Sequence, residues 1–420
     1  MKHPVTSCIV FIFLGGHAPA VPAGLLRYDA GTDRYLFQYG RRYLASPKAE
    51  PVDAAHLPLA PRTYVLEPDR LGSIRDAAPD YWGRLVMEKT SGRSDMSEID
   101  FLLFPNAERI GNLDFRKTPT EPGPGCEPPA FADLSKLLKA AEAIESGVKL
   151  SAEQESYLPL LCQGSSLGGA RPKSVVNLDG KLWLAKFPSR NDRFCNARVE
   201  MATMQLASHC GINIPKMRLE RIAGRDIVLI ERFDRTDDGK KLGYMSALSL
   251  LDAGESEFQR FSYTELADRM RTFDMQKDLQ QLFKRICFNV LCRNTDDHPR
   301  NHGFVFQGGK ASLSPAFDVT PTPSIKGISE TAYLSMSIGQ YGKEATGENL
   351  LSQTMKFGVS SDQAEAIFSS MRDIVSHQWE DIFVRYGVSK TDTELFSYTF
   401  TKWLNHETES NDCSLTPRCC

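Results

Sequence analysis

The 420-residue chain carries 50 Lys and Arg against 53 Asp and Glu, and a formal net charge of −3 gives it no global positive field for holding nucleic acid directly. That length favours two or three domains, and 41% hydrophobic residues are ample for a buried core. Ten cysteines are scattered without a C-x-x-C pair, and only Cys419 and Cys420 adjoin, which fits reduced thiols in the cytoplasm better than a disulfide framework or a zinc site.

The first element in chain order is the apolar run Cys8 to Leu14 in "MKHPVTSCIVFIFLGGHAPA". An early lysine and the "APA" after it imitate a secretory leader, but about seven apolar residues sit at the bottom of the range for one. We read the run as a buried strand, with the leader as the alternative. No other apolar stretch approaches the ~20 residues a membrane helix needs, so no membrane association is expected. "AGLLRYD" and "YLFQY" follow at hairpin spacing, making residues 8 to about 65 a small β-rich unit. "YWGRLVMEKTSG" and "SEIDFLLF" read as helical.

"RKTPTEPGPGCEPPAF", residues 116–131, is dense in Pro and Gly and marks the main boundary. The expected layout is a small N-terminal β-containing subdomain over 1–120 and a linker over 121–130. A β-rich N-lobe over 131–245 and a mainly helical C-lobe over 246–408 follow, with a mobile tail over 409–420. "ADLSKLLKAAEAIESG" is a helix stopped by glycine. After a Gly-rich stretch, "SVVNL" and "KLWLAKF" form strands around the Asp179-Gly180 turn, which places Lys186 on a strand. A helix over about Ala197 to Cys210 ends at Gly211, and the strands "KMRLERI" and "DIVLIERF" come next. From Thr264 the chain is mainly helical. Leu279, Leu282, Phe283, Ile286, Val290 and Leu291 form a core-facing stripe on a helix that runs into "TDDHPRN". A short hairpin around Gly308-Gly309 separates that loop from a second one bearing Asp318.

The stretch "LCQGSSLGGARPKS" admits three chemistries. Gly164-Ser165-Ser166-Leu167-Gly168 spells the nucleophile elbow of a serine hydrolase. Such an elbow runs strand, turn, helix, whereas here a helical segment precedes the serine and a strand follows. A Walker phosphate loop fails because Pro172 stands before Lys173 where glycine is needed. A Gly-rich loop over ATP suits the order of elements, since a lysine strand, a helix, two strands and a helical half follow it.

Phosphoryl transfer needs a cation on the phosphates, oxygen ligands for Mg2+ and an acceptor for the nucleophile's proton. Asp296 and Asn301 are five apart, as in a protein-kinase catalytic loop, and Asp318 lies 22 residues beyond Asp296 where a second metal-binding Asp is expected. Asp and Asn crowd ordinary loops for turn-forming reasons, so the spacing gains weight from Lys186, which on an apolar strand needs an anionic partner such as Glu200 or a phosphate. His298 and His302 are four apart, but Pro299 breaks a helix between them and no third zinc ligand is evident.

Taken together, "SSLGGARPK", "LAKFP", "VEMATMQLASHCGINIP", "IERFDR", "NTDDHPRNHGF" and "PAFD" resemble the HipA family, the serine/threonine-kinase toxins of bacterial type II toxin–antitoxin systems. "PDYWGRLV" and "SEIDFLLFPNAERIGNLDFR" are similar to that family's small N-terminal subdomain. The resemblance implies an α+β, two-lobed protein-kinase-like fold and the cofactors ATP and Mg2+. Asp296 would accept the proton, Asn301 and Asp318 would bind Mg2+, and Lys186 would hold phosphates. Gly168, Gly169, Ala170, Arg171, Pro172 and Lys173 would cover the phosphates. Glu231, Arg232 and Phe233 would meet adenine, and His298, Pro299, Arg300, Asn301 and Phe317 would complete the nucleotide site.

It further implies autophosphorylation at Ser166, or alternatively Ser165, which ejects the loop, because a dianion placed there repels ATP. The implied partners are a cognate antitoxin, commonly a small DNA-binding protein through which DNA is met indirectly, and a protein substrate such as an aminoacyl-tRNA synthetase. Where the family usually has glycine after the catalytic Asp, this chain has Asp297, a carboxylate that could repel ATP or help bind metal. A catalytically silent module acting only through its antitoxin is the alternative, and a hydrolase using Ser166 is a further one.

Overall fold

The computed structural model describes residues 6–403 except 126, 165, 167, 168, 258 and 328–330. The expected tail at 409–420 lies outside the described residues. The first unit is a five-stranded antiparallel sheet in the order β4-β3-β2-β1-β5. Its strands are β1 (Ser7–Ile12), β2 (Val21–Asp29), β3 (Arg34–Tyr39), β4 (Thr63–Leu66) and β5 (Leu113–Arg116). The apolar run at Cys8 thus forms an interior strand with Val10 and Ile12 buried, which explains why it lacks a polar face.

Between these strands lie α1 (Arg41–Leu44), α2 (Ser73–Asp76), α3 (Tyr81–Ser91) and α4 (Glu98–Leu103). Helix α3 starts where Asp80 Oδ1 accepts from Gly83 N at 2.7 Å and stops at left-handed Gly92, φ 67°. Ser97 and Asp100 close a capping box at the start of α4.

Beyond the Pro/Gly stretch come α5 (Leu134–Glu145), α6 (Ala152–Ser156) and α7 (Leu158–Leu161). A second sheet, in the order β6-β7-β9-β8, is built from β6 (Lys173–Leu178), β7 (Lys181–Lys186), β8 (Met217–Ile222) and β9 (Arg225–Glu231), with α8 (Asn196–His209) inserted after β7. Asp179 and Gly180 both take positive φ, 54° and 77°, the backbone that a two-residue hairpin of the primed type demands.

Strand alternation decides what each face of this sheet does. Trp183, Ala185, Ile227 and Leu229 join Trp82, Val86 and Met87 of α3 and Leu137, Leu138 and Ala141 of α5 in one apolar cluster. Leu184, Val228 and Ile230 face the other way, toward Ala197 of α8. Lys186 follows the parity of Leu184 and is thereby aimed at α8. Helix α3 packs on the same core as the second sheet, so a shared apolar cluster joins the chain on either side of the Pro/Gly stretch.

The remainder is mainly helical: β10 (Gly243–Ser246), α9 (Ala247–Leu250), α10 (Tyr263–Thr272), α11 (Leu279–Leu291), β11 (Gly303–Gln307), β12 (Lys310–Leu313), α12 (Gly347–Leu351), α13 (Ser361–Arg385) and α14 (Lys390–Thr401). The stripe on α11 is buried as its spacing predicts, in a cluster that also takes Val199, Ala202 and Leu206 of α8 and Trp379, Ile382 and Phe383 of α13. The hairpin expected around Gly308-Gly309 is present, and β10 pairs with it as an unforeseen third strand. The architecture is the α+β, two-lobed kinase-like arrangement with its cleft between sheet β6–β9 and the helical half. Among the described residues no helix is long and apolar enough to cross a membrane.

Candidate active site

The cleft encloses about 730 Å³ of space, open solvent included. Leu184 and Ile230 of the sheet, Phe233 just past β9, Phe317 and Asp318 of the loop after β12, and Lys186 all line it. The rings of Phe233 and Phe317 stack with centroids 5.4 Å apart at 27°, so one aromatic from each half meets at the cleft. Such an apolar slot beside a cation suits a flat heteroaromatic base that carries charged groups.

At the deep end, Lys186 Nζ lies 2.6 Å from Glu200 Oε1 on α8 and 2.6 Å from Asp318 Oδ1. Burial alone would lower the Lys186 pKa, but Asp318 and Glu200 drive it well above its ordinary value. Burial would likewise raise Asp318, yet Lys186 holds that carboxyl below the usual range. Asp318 also sits at φ 58°, a left-handed backbone that Asp tolerates better than most side chains and that functional loops often use.

Asp296 is 80% exposed at the tip of its loop, and its backbone oxygen accepts from Asn301 Nδ2 at 2.8 Å. That bond uses one of the two N–H donors of the Asn301 amide and fixes which way its acceptor oxygen points. Pro299–Asn301 form a 3-10 turn after His298, whose Nε2 is 4.0 Å from Asp296 Oδ1. The amide oxygen of Asn301 and the carboxylate of Asp318 are hard donors of the kind Mg2+ takes together with water and phosphate oxygens. The donor chemistry therefore fits that ion.

A second, wider cavity of about 1450 Å³ opens on the side of the loop after α11, bordered by Gly169 and Ala170 of the Gly-rich loop and by His298, Pro299 and Arg300. Its far wall is Arg75, Pro79, Tyr81 and Arg84 from the N-terminal subdomain. Ser166 lines both cavities. Its hydroxyl accepts from Ile110 N at 2.7 Å, and the residue is 7% exposed. The serine follows α7 and precedes β6, the reverse of the strand-turn-helix order of a nucleophile elbow.

Several expected site residues are turned elsewhere. Arg232 borders the cleft, but its guanidinium is held by Asp234 at 2.6 Å and by the carbonyls of Glu108 and Arg109 at 2.8 and 3.0 Å. Burial would raise the Asp234 carboxyl, but Arg232 and Arg235 hold it well below the ordinary range. Arg171 pairs with Asp192, and Lys173 Nζ is taken by Asp80 and Gly169 O. Glu231 binds Lys181 at 2.9 Å. Gly168 and the alternative modification site Ser165 lie outside the described residues. Asp76, Ile110, Tyr244 and Ser246 also line the cleft, and no local pattern in the sequence singles them out.

The Asp297 carboxylate neither lines the cleft nor joins Asn301 and Asp318. It is 1% exposed and accepts from Tyr263 Oη and Ser335 N, both at 2.6 Å, within a core network that includes Asn289 and His302. Burial pushes its pKa up to about 7, whereas His302 is lowered by burial to about 3 and is neutral there. A folded-state pKa raised above the unfolded value means that the native protein holds this proton more tightly. The stabilisation is then complete below about pH 4 and is lost as pH rises through about 7. Asp297→Asn is therefore expected to unfold at a higher temperature than wild type at pH 8, with the difference shrinking or reversing at pH 5. Thermal unfolding of both proteins at the two pH values checks this, and parallel curves would count against it.

Residues 165–379 match the family model of the HipA-like C-terminal domain. A Haemophilus influenzae protein named "Putative kinase" is 28% identical over 191 residues, which is 39% of this chain and 55% of that protein. "Putative kinase Y4mE" of Sinorhizobium fredii is 23% identical over 295 residues, 62% of this chain and 66% of its own length. The chain thus spans about half to two thirds of these curated relatives. HipA of Shewanella oneidensis MR-1, solved in a toxin–antitoxin complex with HipB and operator DNA, aligns over 94% of this chain and 96% of its own with a TM-score of 0.66 at 15% identity, a likeness of fold. Because the matched segment runs from the Gly-rich loop into α13 and carries Lys186, Glu200, Asp296 and Asp318 together, the chain belongs to the HipA-like C-terminal domain family.

Proposed function

We propose that this chain is an ATP-dependent serine/threonine-protein kinase and the toxin of a type II toxin–antitoxin pair, acting in the cytoplasm. The observation that carries the reading is the Glu200–Lys186–Asp318 constellation. It ties the lysine strand, the following helix and the metal loop together at the end of an apolar, aromatic-lined slot. In that site adenine occupies the slot between Leu184, Ile230 and the Phe233–Phe317 stack, with Glu231 and Arg232 at its edge. Lys186 receives the phosphates, covered by the loop from Gly168 to Lys173. Asp296 accepts the proton of the substrate hydroxyl, and His298 to Asn301 complete the phosphate end. Asn301 and Asp318 would hold Mg2+, which neutralises charge on the β- and γ-phosphates when bound.

The same reading makes Ser166 the self-modified residue. The residue borders the cleft that Lys186 lines, so a phosphate on it puts a dianion where the phosphates of ATP would lie and repels them. The protein substrate, with an aminoacyl-tRNA synthetase as the candidate, and a small DNA-binding antitoxin belong to this proposal as well. The HipA–HipB–operator complex of the structural neighbour supports the antitoxin partner.

The direct test is phosphatase-treated full-length protein incubated with Mg-ATP, its intact mass and phosphopeptides followed over time. Phosphate gained on Ser166 is the expected result. Protein of verified unphosphorylated starting mass that neither binds nucleotide nor gains phosphate would sink the kinase reading.

A further inference from the structure

Two lysines stand opposite each other where the Gly-rich loop enters the sheet, for Lys173 of β6 is in register with Lys186 of β7. Like charges placed so repel unless each has its own counterion. Lys186 has Glu200 and Asp318. Lys173, 1% exposed, turns instead toward the N-terminal subdomain, where its Nζ lies 2.7 Å from Asp80 Oδ2 and donates to Gly169 O at 2.8 Å.

Asp80 is itself immobilised, because its other oxygen caps α3 through Gly83 N at 2.7 Å. Two residues on, the buried Trp82 donates from Nε1 to the Lys173 carbonyl at 3.1 Å. The first turn of α3 therefore grips Lys173 at both its backbone and its ammonium, and the ammonium grips the loop at Gly169. Gly169 has φ 90°, a conformation that few other residues would keep, so the loop's shape there depends on what holds it.

We propose that Lys173 is a positioning residue and not a phosphate ligand: fixed by Asp80, it holds the Gly169 carbonyl and sets the turn that covers the phosphates. The first turn of α3, far away in sequence, thereby becomes part of the nucleotide site. This rests on the nucleotide-site reading above, and the test separates the two.

Affinities of the full-length chain for Mg-ATP and for adenosine are measured by titration calorimetry in wild type, Asp80→Asn, Asp80→Glu and Lys173→Met, with thermal unfolding alongside. A positioning role predicts that each variant binds Mg-ATP roughly tenfold more weakly, the worth of one charge-assisted hydrogen bond, while adenosine affinity stays at the wild-type value. Asp80→Glu keeps the counterion but displaces the ammonium by one methylene, so it covers the case in which Asp80→Asn fails to fold. A direct phosphate ligand predicts the opposite pattern. Lys173→Met then loses Mg-ATP while both Asp80 variants bind it as well as wild type or better, and that result overturns the proposal. Variants that all match wild type overturn it too. A wild type that binds neither ligand removes the nucleotide site itself, and this inference with it.

Discussion

Asp296→Asn is expected to bind Mg-ATP like wild type and to transfer phosphate about 10²–10⁴-fold more slowly, the usual worth of a positioned general base. The substitution is conservative in this fold for a definite reason. The loop is closed by Asn301 Nδ2 donating to the backbone carbonyl of residue 296, a bond that any side chain there retains. The carboxylate itself is 80% exposed and supports no packing, so changing it to an amide isolates the loss of the proton acceptor. Single-turnover transfer to Ser166, measured beside a nucleotide titration, separates the two quantities. A rate within a few-fold of wild type would remove Asp296 from the chemistry.

Lys186→Met carries a second and different expectation, because it removes the cation that two carboxylates share. Glu200, with a side chain 7% exposed, is left without a counterion. Breaking a buried pair from one side costs about 3–5 kcal/mol. Loss of a cation aimed at developing charge lowers turnover by a further 10²–10³-fold or so. The double variant Lys186→Met/Glu200→Leu removes the orphaned carboxylate, so it should recover most of the stability and none of the turnover. Urea unfolding and phosphoryl transfer on wild type, single and double variants check this. A double variant that regains transfer would mean that Lys186 serves the fold and not the reaction.

Local chemistry makes much of the fold legible along the chain itself. The Asp179-Gly180 turn, the glycine stop after α8 and the apolar stripe on α11 rest on backbone preferences and side-chain periods that span only a few residues. The placing of Lys186 belongs with them, since strand parity alone aims it away from Trp183 and Ala185 and toward α8. The third strand β10 escapes such rules because four residues with mixed burial carry too weak an alternation to stand out from their surroundings.

The contacts that complete the candidate site are of another kind. Asp80 meets Lys173 across 93 residues, Ser246 meets Asp76 across 170, and Ile110 meets Ser166 across 56. No period or turn rule reaches that far, because such pairs form only when α2, α3 and the Gly-rich loop are already packed on their shared surroundings.

From the sequence alone come the element order, the rejection of the nucleophile elbow around Ser166, the acidic loop at Asp296 and the family resemblance, all of which rest on neighbours along the chain. The tertiary structure decides that Lys173, expected over the phosphates, is gripped by the first turn of α3. It also decides where adjacent Asp296 and Asp297 go, one to solvent at the loop tip and the other onto Tyr263 in the core. The physical reason is the same in both cases. A charged side chain goes where a partner can compensate its lost hydration, and for Lys173 and Asp297 that partner lies on a distant element that only the folded chain brings near.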